Sequence, residues 1–139
     1  MKEDIFKLLT VVNQESGNKL VSTDVREYAD KIVANAKIIS VYNASALEAF
    51  IAYYDNDEKK DLAFLTMLVV SGESRKKGYA KKLLQFSIDN LKDLKFKHFR
   101  LNVLQENNAA IQLYQTEGFC IIESDGLFLK LFFYPLQRL

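Results

Sequence analysis

The sequence predicts a mixed α/β (α+β) protein with one central twisted sheet, mostly antiparallel with one parallel pair, and helices on both faces. Three observations predict it. A nearly unbroken apolar run over residues 62–70 gives way, across a polar loop, to Ala80, Leu83, Leu84, Ile88 and Leu91 at helical spacing, so a strand covered on both faces feeds a crossover helix. A crossover demands a parallel neighbour, which residues 98–104 supply. Two further pairs of β-rich runs, joined by turn residues at 43–45 and 124–126, add antiparallel hairpins.

Taken in order, Ile5, Leu8, Leu9 and Val12 have helical spacing, and the pattern stops at Glu15-Ser16-Gly17-Asn18. A second helix starts at Thr23 or Asp24, both good caps, with Val25, Tyr28, Ala29, Ile32, Val33 and Ala36 on its apolar face. Residues 37–42 and 47–54 form the first hairpin, and the polar stretch 55–61 leads into the central strand. After the strand at 98–104 a helix runs from about Asn108 to Glu117 and is stopped by Gly118. Residues 119–123 and 127–134 then form the last hairpin, closed by Pro135. The apolar run 127–133 could pair across a homodimer or serve as core. No internal repeat, linker or low-complexity segment interrupts this order.

Composition bounds the function. With 139 residues, 49% hydrophobic and 27% charged, the chain reads as one globular domain with a sizeable core. A formal net charge of +1 argues against a nucleic-acid partner. No apolar run is long enough for a membrane span, and the opening Met1-Lys2-Glu3-Asp4 does not begin a secretory signal, so a cytoplasmic protein with no membrane partner is expected. The single cysteine, Cys120, excludes an intrachain disulfide and a cysteine-based metal cluster; its apolar neighbours predict a buried structural thiol.

The chemistry concentrates between the central strand and its helix. Arg75, Lys76, Lys77, Lys81 and Lys82 crowd a helix start, where free N–H groups and the macrodipole already place partial positive charge. Gly78 and the small Ala80 would let a phosphate approach the backbone. On spacing alone a solvated basic turn explains these residues equally well.

A resemblance separates the two readings. Arg75-x-x-Gly78-x-Ala80 after an apolar strand resembles the acyl-CoA-binding signature of the GNAT superfamily of N-acetyltransferases. Downstream, Asn107-x-x-Ala110-x-x-Leu113-Tyr114-x-x-x-Gly118-Phe119 resembles that superfamily's second motif, in the expected order and separation. The resemblance covers roughly residues 20–134 and implies a single GNAT-like acetyltransferase domain over 1–139. The chain departs from it in three places. Lys76 and Ala80 replace two glycines of the commoner loop, Gly72 stands where many relatives have proline, and only Lys19-Leu20-Val21 is available for a first strand, which is therefore short or missing.

What the resemblance implies is acetyl transfer from acetyl-CoA, as co-substrate and without a metal, to a primary amine by direct attack on the thioester. Cofactor contacts fall on Leu68, Val69 and Val70, whose backbone would pair with pantetheine, and on Arg75, Lys76, Lys77, Gly78, Tyr79 and Ala80, which would cradle the pyrophosphate. Asn107 would touch the cofactor or cap its helix. Tyr114 would protonate the leaving thiolate, its alternative being a core aromatic. Tyr28 lines the acceptor pocket or, as a helix-face aromatic, the core. No general base stands out: Thr66 and Asn102 occupy positions where relatives carry glutamate, and Glu48, Asp55 and Asp57 are the remaining candidates. The expected acceptor is a small molecule, an amino sugar or amino acid derivative. A non-catalytic acyl-CoA-binding module, or an acetyltransferase acting on a peptide or protein amine, are the alternative readings.

Overall fold

The computed structural model describes residues 1–133. Its elements run α1 (Lys2–Glu15), α2 (Val25–Asn35), β1 (Lys37–Asn43), β2 (Ala46–Tyr54), β3 (Leu62–Val70), a short 3-10 turn (Gly72–Ser74), α3 (Tyr79–Asp93), β4 (His98–Leu104), α4 (Asn108–Thr116), β5 (Cys120–Ser124) and β6 (Phe128–Phe133). The sheet has the order β1-β2-β3-β4-β6-β5. β3 and β4 are the parallel pair, in register at Leu62/His98 and Phe64/Arg100, and β6 is antiparallel to both β4 and β5. The expected Tyr134 and Pro135 at the chain's last strand lie outside the described residues.

Two compact units share these elements. Unit 1 comprises Met1–Ala52 and Met67–Leu83; unit 2 comprises Tyr53–Thr66 and the chain from Leu84 onward. In unit 1 the apolar stripes of α1 and α2 close on Phe50, Ala52, Met67 and Val69, with Ile5, Leu9, Ala29 and Ile32 fully buried. Asp24 caps α2 by accepting from the Glu27 N–H at 3.0 Å. Tyr28 packs against this cluster as a partly buried side chain. No strand forms at residues 19–21. Val21 is instead buried, and its N–H donates to Asn13 Oδ1 at 2.9 Å, so the chain turns directly from α1 into α2.

Unit 2 is built on aromatics. Phe99 lies 5.7 Å from Tyr53 and from Phe119, while Phe119 meets Tyr114 at 5.7 Å and Phe133 at 5.4 Å. The Asn90 amide donates to the Tyr53 hydroxyl at 3.2 Å, giving this buried phenol a polar partner.

Burial along the strands corrects two expectations and favours the core alternative for a third. β3 alternates between buried and part-buried positions, whereas the unbroken buried run belongs to β2, from Glu48 to Tyr53. A strand buried at successive residues is covered on both faces. Cys120 is exposed rather than buried, because β5 is one of the sheet's two edge strands and every residue in it is exposed. β6, expected as a free pairing surface or as core, has β4 on one edge and β5 on the other, and it buries Leu129 and Leu131. The edge strand β5 carries a bulge between Ile121 and Glu123, a device that discourages further strand pairing.

Candidate active site

The loop after β3 belongs to unit 1. The Ser71 N–H donates to the Glu48 carbonyl at 2.7 Å, which ties the end of β3 to β2. The Ser71 hydroxyl donates to the buried Ser74 hydroxyl at 2.9 Å. Beyond Arg75 the backbone turns through Lys76 at φ 72° and Gly78 at φ 81°. Lys76 is a long side chain in a left-handed conformation, which costs on the order of 1 kcal/mol and marks a turn whose shape is imposed by its surroundings. The turn delivers the chain into α3, a 15-residue helix with no acidic residue in its first turn. An added Cβ at Gly78 would meet nothing within 4 Å, so the space beside this glycine is open.

Glu48 is the organising residue beneath the loop. Its side chain is 11% exposed, and its Oε1 lies 3.5 Å from Lys77 Nζ and accepts from the Asn43 amide at 3.4 Å. A hydrogen bond from the Tyr79 hydroxyl, helped by Asn43, Ser74 and Lys77, holds the Glu48 carboxyl below the usual glutamate range. The same bond, with burial, pushes the Tyr79 phenol up. Lys77 Nζ also sits 5.9 Å from the Tyr79 ring centroid. Glu48 Oε1 thus ties Asn43 and Lys77 together, with Ser74 and Tyr79 beside the carboxylate, while its buried Oε2 has no hydrogen-bond partner among the described residues.

A second clip ties Arg75 Nη2 to Glu15 Oε1 at 3.2 Å, at the end of α1. Two of the five clustered cations are therefore paired with carboxylates already, while Lys76, Lys81 and Lys82 are exposed. A cleft of about 360 Å³ opens beside Ser71, between α1 residues Asp4, Lys7, Leu8 and Val11 and hairpin residues 45–47.

The expected cofactor residues of unit 1 therefore cluster: Arg75, Lys76, Lys77, Gly78, Tyr79 and Ala80 form one turn and helix start, and Leu68, Val69 and Val70 end the strand leading into it. Val69 is buried in the unit 1 core, which leaves only its backbone for a ligand. Asn107 and Tyr114 belong to unit 2. The Asn107 side chain accepts from the Ala110 N–H at 3.2 Å and so caps α4. Tyr114 is buried against Phe119, and burial pushes its phenol well above the ordinary tyrosine range. Burial thus favours the neutral phenol and makes it a weaker acid than an ordinary tyrosine.

Two features were not read from the sequence. The bracing role of Glu48 had a signal, since it is the one charged residue in an otherwise apolar strand. The open face of β4 and β6 had a fainter one, in the alternation of Arg100, Asn102 and Lys130 with buried Phe99, Leu101, Val103, Leu129 and Leu131. Among the described residues no group of three or more His, Cys, Asp or Glu could hold a metal, and no helix is long and apolar enough to cross a membrane.

Comparison with known proteins agrees with this geometry. The Acetyltransferase (GNAT) family matches residues 3–119. A spermine/spermidine N(1)-acetyltransferase of Bacillus subtilis (strain 168) is 33% identical over 89 residues, covering 60% of this chain and 59% of that protein. The chain thus spans about three fifths of the length of the curated relatives it matches. A GNAT-family acetyltransferase from Staphylococcus aureus Mu50 superposes with a TM-score of 0.80 at 17% identity, over 96% of this chain and 92% of that one. The PaiA N-acetyltransferase of Thermoplasma acidophilum, solved in complex with coenzyme A, superposes with a TM-score of 0.76 at 15% identity and the same two coverages. With more than half of its length matched, and with the fold shared, this chain belongs to the Acetyltransferase (GNAT) family.

Proposed function

We propose that the chain is an acetyl-CoA-dependent N-acetyltransferase, one domain over residues 1–139, that acetylates a primary amine of a small molecule by direct attack. The observation that carries this reading is the turn at Lys76 and Gly78, strained at one residue and open at the other, placed ahead of a long helix without acids in its first turn. Such a turn presents free N–H groups and a positive dipole to an anion, which fits the pyrophosphate of coenzyme A. Family membership and the small-molecule amines in the names of the Bacillus relatives support the rest.

Acetyl-CoA supplies an acetyl group activated as a thioester. The backbone of Leu68, Val69 and Val70 positions pantetheine and polarises the thioester oxygen. Arg75, Lys76 and Lys77 add charge to the phosphate cradle, with Gly78, Tyr79 and Ala80 offering backbone amides and Asn107 holding the start of α4. The amine nitrogen bonds to the carbonyl carbon and gives its proton to solvent water, the C–S bond breaks, Tyr114 gives its proton to the departing sulfur, and the tyrosinate is reprotonated from solvent. Glu48, ionised and engaged by Tyr79 and Lys77, is a weak base and acts on the loop instead of the amine.

The test is calorimetric titration with acetyl-CoA, CoA and ATP, on the wild type and on Gly78→Glu, followed by a thiol-release assay. Selective binding of acetyl-CoA and CoA that disappears in the variant is the expected result. Binding that is absent, or indifferent to Gly78, overturns the reading.

A further inference from the structure

Two carboxylates reach the loop after β3, and they hold it differently. Glu48, with a side chain 11% exposed, engages Lys77 from within the strand. Glu15 is the last residue of α1, and the side chains of its pair with Arg75 are 46% and 53% exposed. Arg75 Nη2 donates to Glu15 Oε1 at 3.2 Å. Water reaches both members of this second pair, so it can open at little cost, whereas the buried Glu48 cannot leave its place. Glu15, Gly72 and Arg75 all belong to unit 1.

Gly72 provides the seat for the exposed pair. A Cβ there would stand 3.3 Å from Glu15 Oε2 and 3.8 Å from Arg75 Nη1. Gly72 is not among the glycines with positive φ, so its backbone does not call for a glycine; the carboxylate and guanidinium above it do. Helix stability does not account for Glu15 either. An acid at a helix C-terminus opposes the macrodipole, and α1 has no basic residue in its last turn. The cation that answers Glu15 arrives from 60 positions along the chain, and it is the arginine of the loop. A guanidinium meets a carboxylate and a phosphate through the same planar fork, so the N–H given to Glu15 is withheld from a two-point phosphate contact.

We propose that Glu15 is a positioning residue that competes with the diphosphate of acetyl-CoA for Arg75. The guanidinium leaves the carboxylate when the cofactor binds and returns to it when CoA departs, so the pair seated on Gly72 limits affinity for cofactor and product alike. The inference rests on the reading above that acetyl-CoA is held at this loop. Its observable consequence is that removing the Glu15 charge tightens binding, and does so only while Arg75 is present.

The experiment is a double-mutant cycle on the Kd of acetyl-CoA and of CoA, by calorimetry, in the wild type, Glu15→Gln, Arg75→Gln and the double variant. Glu15→Gln is expected to tighten both ligands by about two- to fivefold, the range of an exposed ion pair. Arg75→Gln should weaken them several-fold, and adding Glu15→Gln to it should leave Kd where Arg75→Gln put it. A merely structural role for Glu15 would loosen α1 and could not raise affinity. Gly72→Ala, which presses on the carboxylate, should tighten binding in part with Glu15 present and have no effect in Glu15→Gln. Unchanged or weaker binding in Glu15→Gln overturns the inference, and so does a tightening of the same size without Arg75, which is plain charge repulsion. An Arg75→Gln Kd equal to the wild type, or a Gly72→Ala effect equal in both backgrounds, overturns it as well. Each of these leaves the acetyl-CoA reading standing, because the wild type still binds. A wild type that binds neither acetyl-CoA nor CoA overturns that reading and the inference together.

Discussion

Gly78 and Gly118 are both motif glycines with positive φ, at 81° and 114°, yet they are needed for opposite reasons. A Cβ at Gly78 would stand in open space, whereas one at Gly118 would come within 2.6 Å of the Phe133 ring. The first glycine leaves the space beside a backbone turn open. The second lets the chain after α4 pass against the aromatic cluster of unit 2. Gly17 and Gly126 share the open space of Gly78, so openness alone does not make a binding loop; the filled space at Gly118 marks packing.

The largest expected effect breaks this comparison at its filled end. Gly118→Ala combines a ring clash with an unfavourable φ and should cost about 2–4 kcal/mol, read by denaturant unfolding. Gly78→Ala should cost only about 1 kcal/mol, from φ alone. If the two variants lose equal stability, the contrast is wrong. Catalysis sharpens it next. Tyr114→Phe should lower kcat by about a hundredfold with acetyl-CoA affinity unchanged, the lower end of what a general acid contributes. Because burial raises this phenol above its ordinary value of 10.0, the pH–rate profile should show no alkaline limb from Tyr114 below pH 10.

Two glutamate–lysine pairs extend the contrast to charge. Glu48–Lys77 and Glu123–Lys130 are 3.5 and 3.1 Å apart, but their glutamate side chains are 11% and 64% exposed. Glu48→Ala should loosen the loop, lowering the melting temperature and weakening acetyl-CoA binding several-fold. Glu48→Gln, which keeps an acceptor for Tyr79, should do less. The folded-state pKa of Glu48 lies below the ordinary 4.5, so its contribution is present above that value and is lost as pH falls through the lowered pKa. The difference in melting temperature between wild type and Glu48→Gln should therefore be full at pH 7 and close as pH drops below 4.5. Glu123→Ala, at the smallest end, should change stability by no more than about 0.5 kcal/mol, as exposed pairs do.

The helices and strands were legible because their periods are strong. The stripe from Ile5 to Val12, the caps at Asp24 and Asn107, and the turn residues between β5 and β6 each place one element without help from the rest of the chain. The loop after β3 was legible as a basic cluster around one glycine. That Arg75 and Lys77 already hold carboxylates was not, because Glu15 and Glu48 lie 60 and 29 positions away along the chain. Cys120 was misread for a related reason, since an apolar run does not reveal whether its strand is central or at an edge.

The sequence by itself determined the order of elements, the crossover after β3 and the two motifs that place the chain in its family, because local periodicity and turn chemistry act over a few residues. Only the tertiary structure decided which strand is dry on both faces, which glutamate is a buried clip, and that Arg100 and Lys130 share an open cleft. Those properties depend on strand order and register, which bring together residues that no local pattern connects.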